Sequence, residues 1–346
     1  MPSFEALRGA LPLGLIAALC AAVTAAALPL LLPVLRRYAL ARPNARSSHR
    51  VPTPQGGGIA VAGVAIVATL LLTLAPGIPT AEVQSLSVLA AAASALALLG
   101  AWDDIRPLAA LPRLGVQALA VAATVLALPD TVRLFPDLLP AMAERALLVV
   151  AVLWFVNLTN FMDGLDWMTV AGFAPLCGAI ALLAAAGAAP LAAGLVAASL
   201  GGALLGFAPL NRPVARVFLG DVGSLPIGLL AAYALIRLGG DGHLVAAVIL
   251  PLYYAADATI TLTRRALRGE KVWEAHRSHY YQQATSHGLT VMEVIGRIAL
   301  LNLTLAGAAI ILALAWTPAR GALGVLVAVA SVGAILAHFG QRRAGP

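Results

Sequence analysis

Apolar runs succeed one another along nearly the whole chain, broken only by short polar segments. They lie near residues 10–35, 57–75, 84–102, 113–128, 144–161, 168–187, 190–208, 223–239, 243–262, 294–315 and 320–339. A hydrocarbon core about 30 Å thick takes about 20 helical residues to cross, and lipid cannot satisfy loose backbone polar groups, so such runs fold as helices. The pattern predicts an all-α, polytopic membrane protein of eleven transmembrane helices. Ten is the alternative count, because the breaks at 187–190 and 239–243 are tight. With 61% hydrophobic and 11% charged residues, the chain lacks the polar surface of a water-soluble domain. Residues 1–346 read as one integral membrane domain, with polar loops at 36–56, 103–112, 157–168, 209–224 and 263–293.

Cys20 and Cys177 both fall inside apolar runs, which excludes a disulfide framework or a zinc site and makes them packing residues. Arg36, Arg37, Arg42, Arg46 and Arg50 follow the first run, the reverse of a signal peptide, so that run is expected to be retained with its N-terminus outside. The cytoplasmic segments then hold sixteen Lys and Arg and the opposite segments five, with Arg297 at the start of span ten. The net charge of +7 is thus an orientation signal beside anionic lipid and not a nucleic-acid footprint.

On this topology every polar-rich cluster falls on the cytoplasmic side: "SSHRVPTPQGGGIAV", "AWDDIRPL", "FVNLTNFMDGLDWMTV", "NRPVARVFLGDVGS" and the segment 263–293. Loops distant in sequence can there assemble one site. Asp103, Asp104, Asp163, Asp166 and Asp221 sit at helix ends, where placed together they would repel without a cation. Hard carboxylate oxygens suit Mg²⁺ or Mn²⁺; the blander reading is complementation of helix dipoles. If their segment is helical, Asp163 and Asp166 share a face, preceded at the same spacing by Asn157 and Asn160, as a polar ridge facing a water-filled cavity. Gly57 in "QGGGIA", and Gly223 and Ser224 in "GDVGS", offer backbone N–H groups to a phosphate, with close helix packing the alternative for the glycines. His276, Arg277 and His279 share a basic loop suited to a nucleotide diphosphate, in a spacing that fits no zinc pattern. His49 beside Arg50 suits a similar phosphate role. Asp257, inside the ninth run, is an intramembrane acid, functional by default, with a hydrogen bond to a neighbouring helix as the alternative.

Taken in order, "HRVPTPQGGG", "WDD", "NLTNFMDGLD", "NRPVARVFLGDVGS" and "HRSHYYQ" resemble the polyprenyl-phosphate N-acetylhexosamine-1-phosphate transferases, over about residues 45–290. The resemblance implies transfer of a sugar-1-phosphate from a UDP-N-acetylhexosamine to undecaprenyl phosphate, with Mg²⁺ or Mn²⁺, at the cytoplasmic face of a bacterial inner membrane. It implies that Asp103 and Asp104 lie near the lipid phosphate. Asp163 and Asp166 would serve nucleotide and diphosphate beside Asn160, with Asp221 binding metal, Asp163 joining it, and Asn211 opening the same motif as Asp221. His279 would contact donor phosphates, and Arg50 and Thr53 stand where the family has a basic residue and Thr-Pro. A homodimer stays open because dimers occur among related enzymes. Three departures, Tyr281 and Gln282 in place of histidines, Trp167 and Met168 after Asp166, and Arg50 in place of lysine, point away from the peptidoglycan enzyme, phospho-N-acetylmuramoyl-pentapeptide transferase. They resemble the branch that starts O-antigen or other surface glycans, often with a 6-deoxy amino sugar. A secondary transporter is the alternative of another class, but it would place its acids near midplane, in repeats that this sequence lacks.

Overall fold

The computed structural model describes residues 13–41, 52–75, 77–272 and 276–341. The helices are α1 Leu13–Tyr38, α2 Gly58–Leu72, α3 Thr80–Ile105, α4 Ala110–Leu126, α5 Ala141–Met162, α6 Met168–Ala185 and α7 Leu191–Asn211. They continue with α8 Asp221–Leu238, α9 Leu244–Ile249, α10 Leu252–Leu267, α11 Tyr280–Ser286, α12 Val291–Leu314 and α13 Pro318–Gly340. Among the described residues eight helical stretches are long and apolar enough to cross a membrane, with α8 and α9 counted together as Asp221–Ile249; α2 and α4 are apolar but shorter. The protein is an all-α, multi-pass membrane protein.

Each apolar run of the sequence coincides with helix, with one difference in the ninth. Residues 243–262 do not form one rod: a π-helical turn at Gly239–His243 leads into α9, and Pro251 separates α9 from α10. Proline has no N–H for the helical ladder and clashes with the preceding turn. Elsewhere the ends carry ordinary signals, such as the Thr290 and Thr317 hydroxyls that accept from Glu293 N and Arg320 N to start α12 and α13.

Two helices form the centre. α7 packs against α1, α2 and α6, and α8 against α3 and α5. All of the most apolar stretch of Asp221–Ile249 is buried, against 22% of that in α1 or α13, so α8 is sheathed by protein and the outer helices face lipid. Helices gain little hydrophobic attraction from each other in lipid, and small residues that permit close packing take over. A Cβ on Gly202 of α7 would lie 2.2 Å from the Ala17 carbonyl oxygen, so α1 rests directly on the α7 backbone.

The departure from a purely helical chain is small. β1 (Leu40–Ala41) pairs antiparallel with β2 (Thr53–Pro54), and Gln55 continues in a parallel bridge to Phe218. These few residues fasten the segment before α2 to the segment before α8.

Candidate active site

The site grows from the contact between the end of α3 and the start of α8. A Cβ on Gly100 would lie 2.3 Å from the Asp221 backbone, so only glycine lets the two helices meet here. Gly220 precedes α8 with φ +78° and has no side chain to cap it. Asp104 caps it from α3: its Oδ1 accepts from Asp221 N at 2.9 Å and its Oδ2 from Val222 N at 3.2 Å. Gln55 Nε2 also donates to Asp104 Oδ1. Both Asp104 oxygens are therefore engaged in holding α8, which is a positioning task.

Asp103 faces the other way. Its Oδ1 accepts from Leu108 N at 2.6 Å and its Oδ2 from Arg113 Nη1 at 2.7 Å. The same Arg113 nitrogen lies 3.7 Å from Asp221 Oδ2, and Asn160 Nδ2 donates to Asp221 Oδ1 at 2.7 Å and to Ser224 Oγ at 2.9 Å. One chain of hydrogen bonds, with an ion pair between Arg113 and Asp221, thus runs Asp103, Arg113, Asp221, Asn160, Ser224.

The stretch after α5 differs from its expected form. α5 stops at Met162, and Asp163 is its C-cap with ψ 54°, so Asp163 and Asp166 do not share a helical face. Asp163 Oδ1 accepts from Thr169 Oγ1. Burial, opposed by that hydrogen bond and reinforced by the charges of Asp104 and Asp166, pushes the Asp163 carboxyl up to about 7. Asp166, buried, accepts from Ala215 N at 2.9 Å. Trp167 has φ +62°, a left-handed conformation that is a genuine outlier for a bulky residue. It is held there from both sides: its N–H donates to Asn211 Oδ1 at 2.8 Å and its indole Nε1 to Ala208 O at 2.6 Å. Asn211 in turn donates to Val217 O at 3.0 Å, so it clasps the loop before α8.

The glycine amides expected to cradle a phosphate are occupied. Gly56 N and Gly57 N donate to Phe218 O, Gly58 N to Leu219 O, and both Gly223 N and Ser224 N to Gly220 O. The amide role assigned to Gly57, Gly223 and Ser224 is therefore corrected: Gly58 and Gly223 permit backbone crossing, since a Cβ on Gly58 would lie 2.3 Å from Gly223 Cα. Ser224 takes part through its hydroxyl. Thr53, buried in β2, borders a cavity described below, whereas His49 and Arg50 lie outside the described residues.

Asp257 organises the histidine segment. Fully buried in α10, it accepts from Tyr280 N at 2.9 Å and Tyr281 N at 3.2 Å, and also from the hydroxyls of Tyr253 and Thr261. The structural alternative for this acid holds: it caps α11 from a neighbouring helix. His279 Nδ1 lies 3.3 Å from Asp257 Oδ1, and its ring stacks on Tyr281 and neighbours His276 at 4.9 Å. At 2% exposure His279 supports this corner from inside, in place of the open phosphate contact expected of it; His276 and Arg277 are the half-buried members. The Tyr281 hydroxyl donates to Phe161 O at 3.0 Å, and burial holds its own titration well above the usual tyrosine range.

Two cavities flank these residues. A cavity of about 1000 Å³ is bordered by Arg36, Thr53, Asp166, Ala215, Arg216 and Met292. An apolar groove of about 500 Å³ is bordered by Leu114, Trp154, Asn157, Phe161, Leu262 and Val272. The residues 157–166 join these features: Asn157 borders the groove and its Nδ2 donates to Gln117 Oε1 at 2.9 Å and Leu153 O at 2.8 Å, Asn160 donates to Asp221, and Asp166 borders the larger cavity.

The profile of glycosyl transferase family 4 matches residues 86–239. A phospho-N-acetylmuramoyl-pentapeptide-transferase of Synechococcus is 33% identical over 248 residues, covering 63% of this chain and 67% of that protein. This chain belongs to glycosyl transferase family 4. A decaprenyl-phosphate N-acetylglucosaminephosphotransferase of Mycobacterium tuberculosis is 26% identical over 294 residues, 75% of this chain and 72% of that one. A probable undecaprenyl-phosphate N-acetylglucosaminyl 1-phosphate transferase of Bacillus subtilis is 27% identical over 279 residues, 75% and 74% of the two chains.

The family match covers Asp103 through Ser224 and leaves the Thr53–Gly58 and histidine segments outside it. The structure fastens both to it, through Gln55 on Asp104 and Tyr281 on Phe161. Sequence reasoning used Arg113 only as an orientation marker and passed over Gln55. Arg113, the second of two basic residues after the aspartate pair, on the same side of the membrane, was the available signal for the first; none pointed to the second.

Proposed function

We propose that this family member transfers a sugar-1-phosphate from a UDP-N-acetylhexosamine to undecaprenyl phosphate, releasing UMP, at the cytoplasmic face of a bacterial inner membrane. As a member of the family it is a polyprenyl-phosphate sugar-1-phosphate transferase; donor, acceptor length, sidedness and pathway are our reading. The observation that carries it is the run 157–166, which joins an apolar groove, a carboxylate cluster and a larger cavity that Arg36 and Arg216 border, within ten residues. The groove suits a polyprenyl tail and the larger cavity, with Arg36 and Arg216, suits a nucleotide diphosphate. The charge bias, read with eleven crossings and α9 and α10 as one broken crossing, supports a cytoplasmic site.

In the reaction an acceptor phosphate oxygen forms a bond to the donor phosphorus that carries the sugar, and the bond to the UMP oxygen breaks. An acceptor phosphate dianion needs no deprotonation, so the work is alignment and charge compensation. Arg113, fixed by Asp103, is placed to meet the acceptor phosphate, and Asp166 and Asn211 shape the donor cavity. The donor set fits a hard divalent ion: Asp163 and Asp221 each use Oδ1 for a protein hydrogen bond, which leaves carboxylate oxygens that would hold the ion. Among the described residues no three His, Cys, Asp or Glu form a ready cage, which suits Mg²⁺, an ion commonly held by one or two carboxylates plus substrate phosphates. Mg²⁺ or Mn²⁺, when bound, would neutralise charge on the diphosphate.

The departures at Trp167, Tyr281 and Arg50 favour the branch that starts surface glycans such as O-antigen, with a 6-deoxy donor. The 33% identity to a muramoyl-pentapeptide transferase supports a second reading. Purified protein in proteoliposomes, given undecaprenyl phosphate, Mg²⁺ and a panel of UDP-N-acetylhexosamines, their 6-deoxy forms and the muramoyl-pentapeptide donor, separates the two. UMP release that requires the lipid is expected with a hexosamine donor. Release only with the muramoyl-pentapeptide donor selects the second reading, and donor uptake without UMP release would make the chain a transporter.

A further inference from the structure

A third cavity at the aspartate end lies apart from the two given above to acceptor and donor, and Arg277, expected at the donor diphosphate, borders this one instead. It has a volume of about 300 Å³ and lies between α10 and the start of α11. Arg264, Arg265 and Arg268 border it together with Thr261, a spacing that places all four on one face of α10. Arg277 and Tyr280 close the far side. Among the described residues no acid borders it, and it shares none of its bordering residues with the larger cavity or the apolar groove.

Four guanidinium groups around one small polar cavity need an explanation. Arg265 donates from Nε to Glu270 at 2.7 Å and from Nη2 to Lys271 O at 3.1 Å. Arg264 sits over the Tyr280 ring, 5.3 Å from its centroid, and meets the Tyr280 hydroxyl. Arg268 is exposed, and among the described residues Arg277 Nε is buried without a partner. A buried donor without an acceptor carries its full desolvation penalty, so an acceptor from outside accounts for it better than water at an open surface. Planar guanidinium forks fit phosphate oxygens, and arginine is the usual choice where such a group is bound. Arg264, Arg265 and Arg268 stand together at the C-terminal end of α10, and basic residues clustered beside membrane helices attract anionic headgroups.

We propose that this cavity is a phosphate site, separate from the reaction centre, that takes the headgroup of an anionic phospholipid. The test compares wild type, Arg268→Gln, Arg264→Gln and the control Arg320→Gln in nanodiscs of neutral phosphatidylcholine with and without phosphatidylglycerol. Thermal unfolding and native mass spectrometry are read. Phosphatidylglycerol is expected to raise the melting temperature of wild type and of Arg320→Gln equally, and at most half as much in the other two variants, with fewer retained lipids. Arg268 is exposed, so its variant tests the site without risk to the fold. Inorganic pyrophosphate in neutral nanodiscs is the second arm: a shift that matches the lipid's and is lost in the same variants keeps the phosphate site but overturns the lipid as its occupant. An equal lipid shift in all four proteins overturns the site.

Discussion

The two ends of the helix bundle treat charge in opposite ways. Away from the aspartates, Glu82 and Glu144 each have an arginine of their own. Glu82 is held by both terminal nitrogens of Arg237, at 2.6 and 2.5 Å, and Arg237 also meets Tyr233 OH. Glu144 accepts from Arg133 Nε at 2.8 Å and Leu134 N at 2.6 Å, while Arg145 donates to the carbonyls of Val125, Leu128 and Pro129. At the other end six aspartates rest mostly on backbone amides and hydroxyls, and Arg113 is divided between Asp103 and Asp221. A closed, locally neutral pair gives structure; a cluster with too few cations keeps affinity for a ligand that brings one.

If that contrast is right, the largest effect comes from the open end. Asp221→Asn is expected to lower lipid-dependent UMP release by roughly a thousandfold or more while the protein inserts and purifies normally, since charge compensation at the transferred group dominates such reactions. Normal turnover of the variant at low Mg²⁺ would remove Asp221 from the metal site. His279→Ala should come next, at roughly a hundredfold, because it unpacks the Asp257 corner and with it the tie to Phe161; His287→Ala, whose ring meets only Phe339 O at the end of α13, should cost about tenfold less. Equal small losses in both would reduce the segment to a membrane anchor.

A smaller effect should appear in pH. With its carboxyl raised to about 7, Asp163 is protonated below that value, and the proton competes with a cation. The Mg²⁺ concentration for half-maximal activity should therefore rise about tenfold from pH 8 to pH 6 and flatten in Asp163→Asn. Stability moves the other way: without a cation, raising pH from about 4 to about 7 ionises Asp163 in the unfolded chain while the folded protein keeps the proton, which lowers the melting temperature, and Mg²⁺ should restore it. A Mg²⁺ requirement independent of pH would sever Asp163 from the cation. The smallest effect belongs to the closed end, where the double change Glu82→Met with Arg237→Met is expected to leave kcat and stability near wild type, because an apolar pair can replace a buried ion pair. A large loss of kcat there would break the contrast between the ends.

The fold was legible because its signal is local: an apolar run of bilayer length has few alternatives to a helix. The one break inside such a run, at Pro251, was signalled by the residue itself. The aspartates and Asn160 were legible for a similar reason, since polar groups at the ends of apolar runs need partners. Which partners they have was not. The carbonyls of Phe218 and Leu219 that absorb the glycine amides lie about 160 residues away in the chain, and no spacing rule brings them there. Asp163 and Asp166 were read as one helical face because the periodicity continues past Met162, whereas the backbone turns at Asp163. Gln55 and Arg113 escaped because their roles depend on how closely α3, α4 and α8 approach, which glycines at positions 100 and 220 decide.

The Tyr281 strut has a consequence for inhibitors. Its hydroxyl hooks the last turn of α5 while its ring backs His279, so a compound that prises the histidine segment outward drags the Asp-Gly turn with it. Resistance arising in one of these two segments should therefore alter sensitivity to drugs aimed at the other.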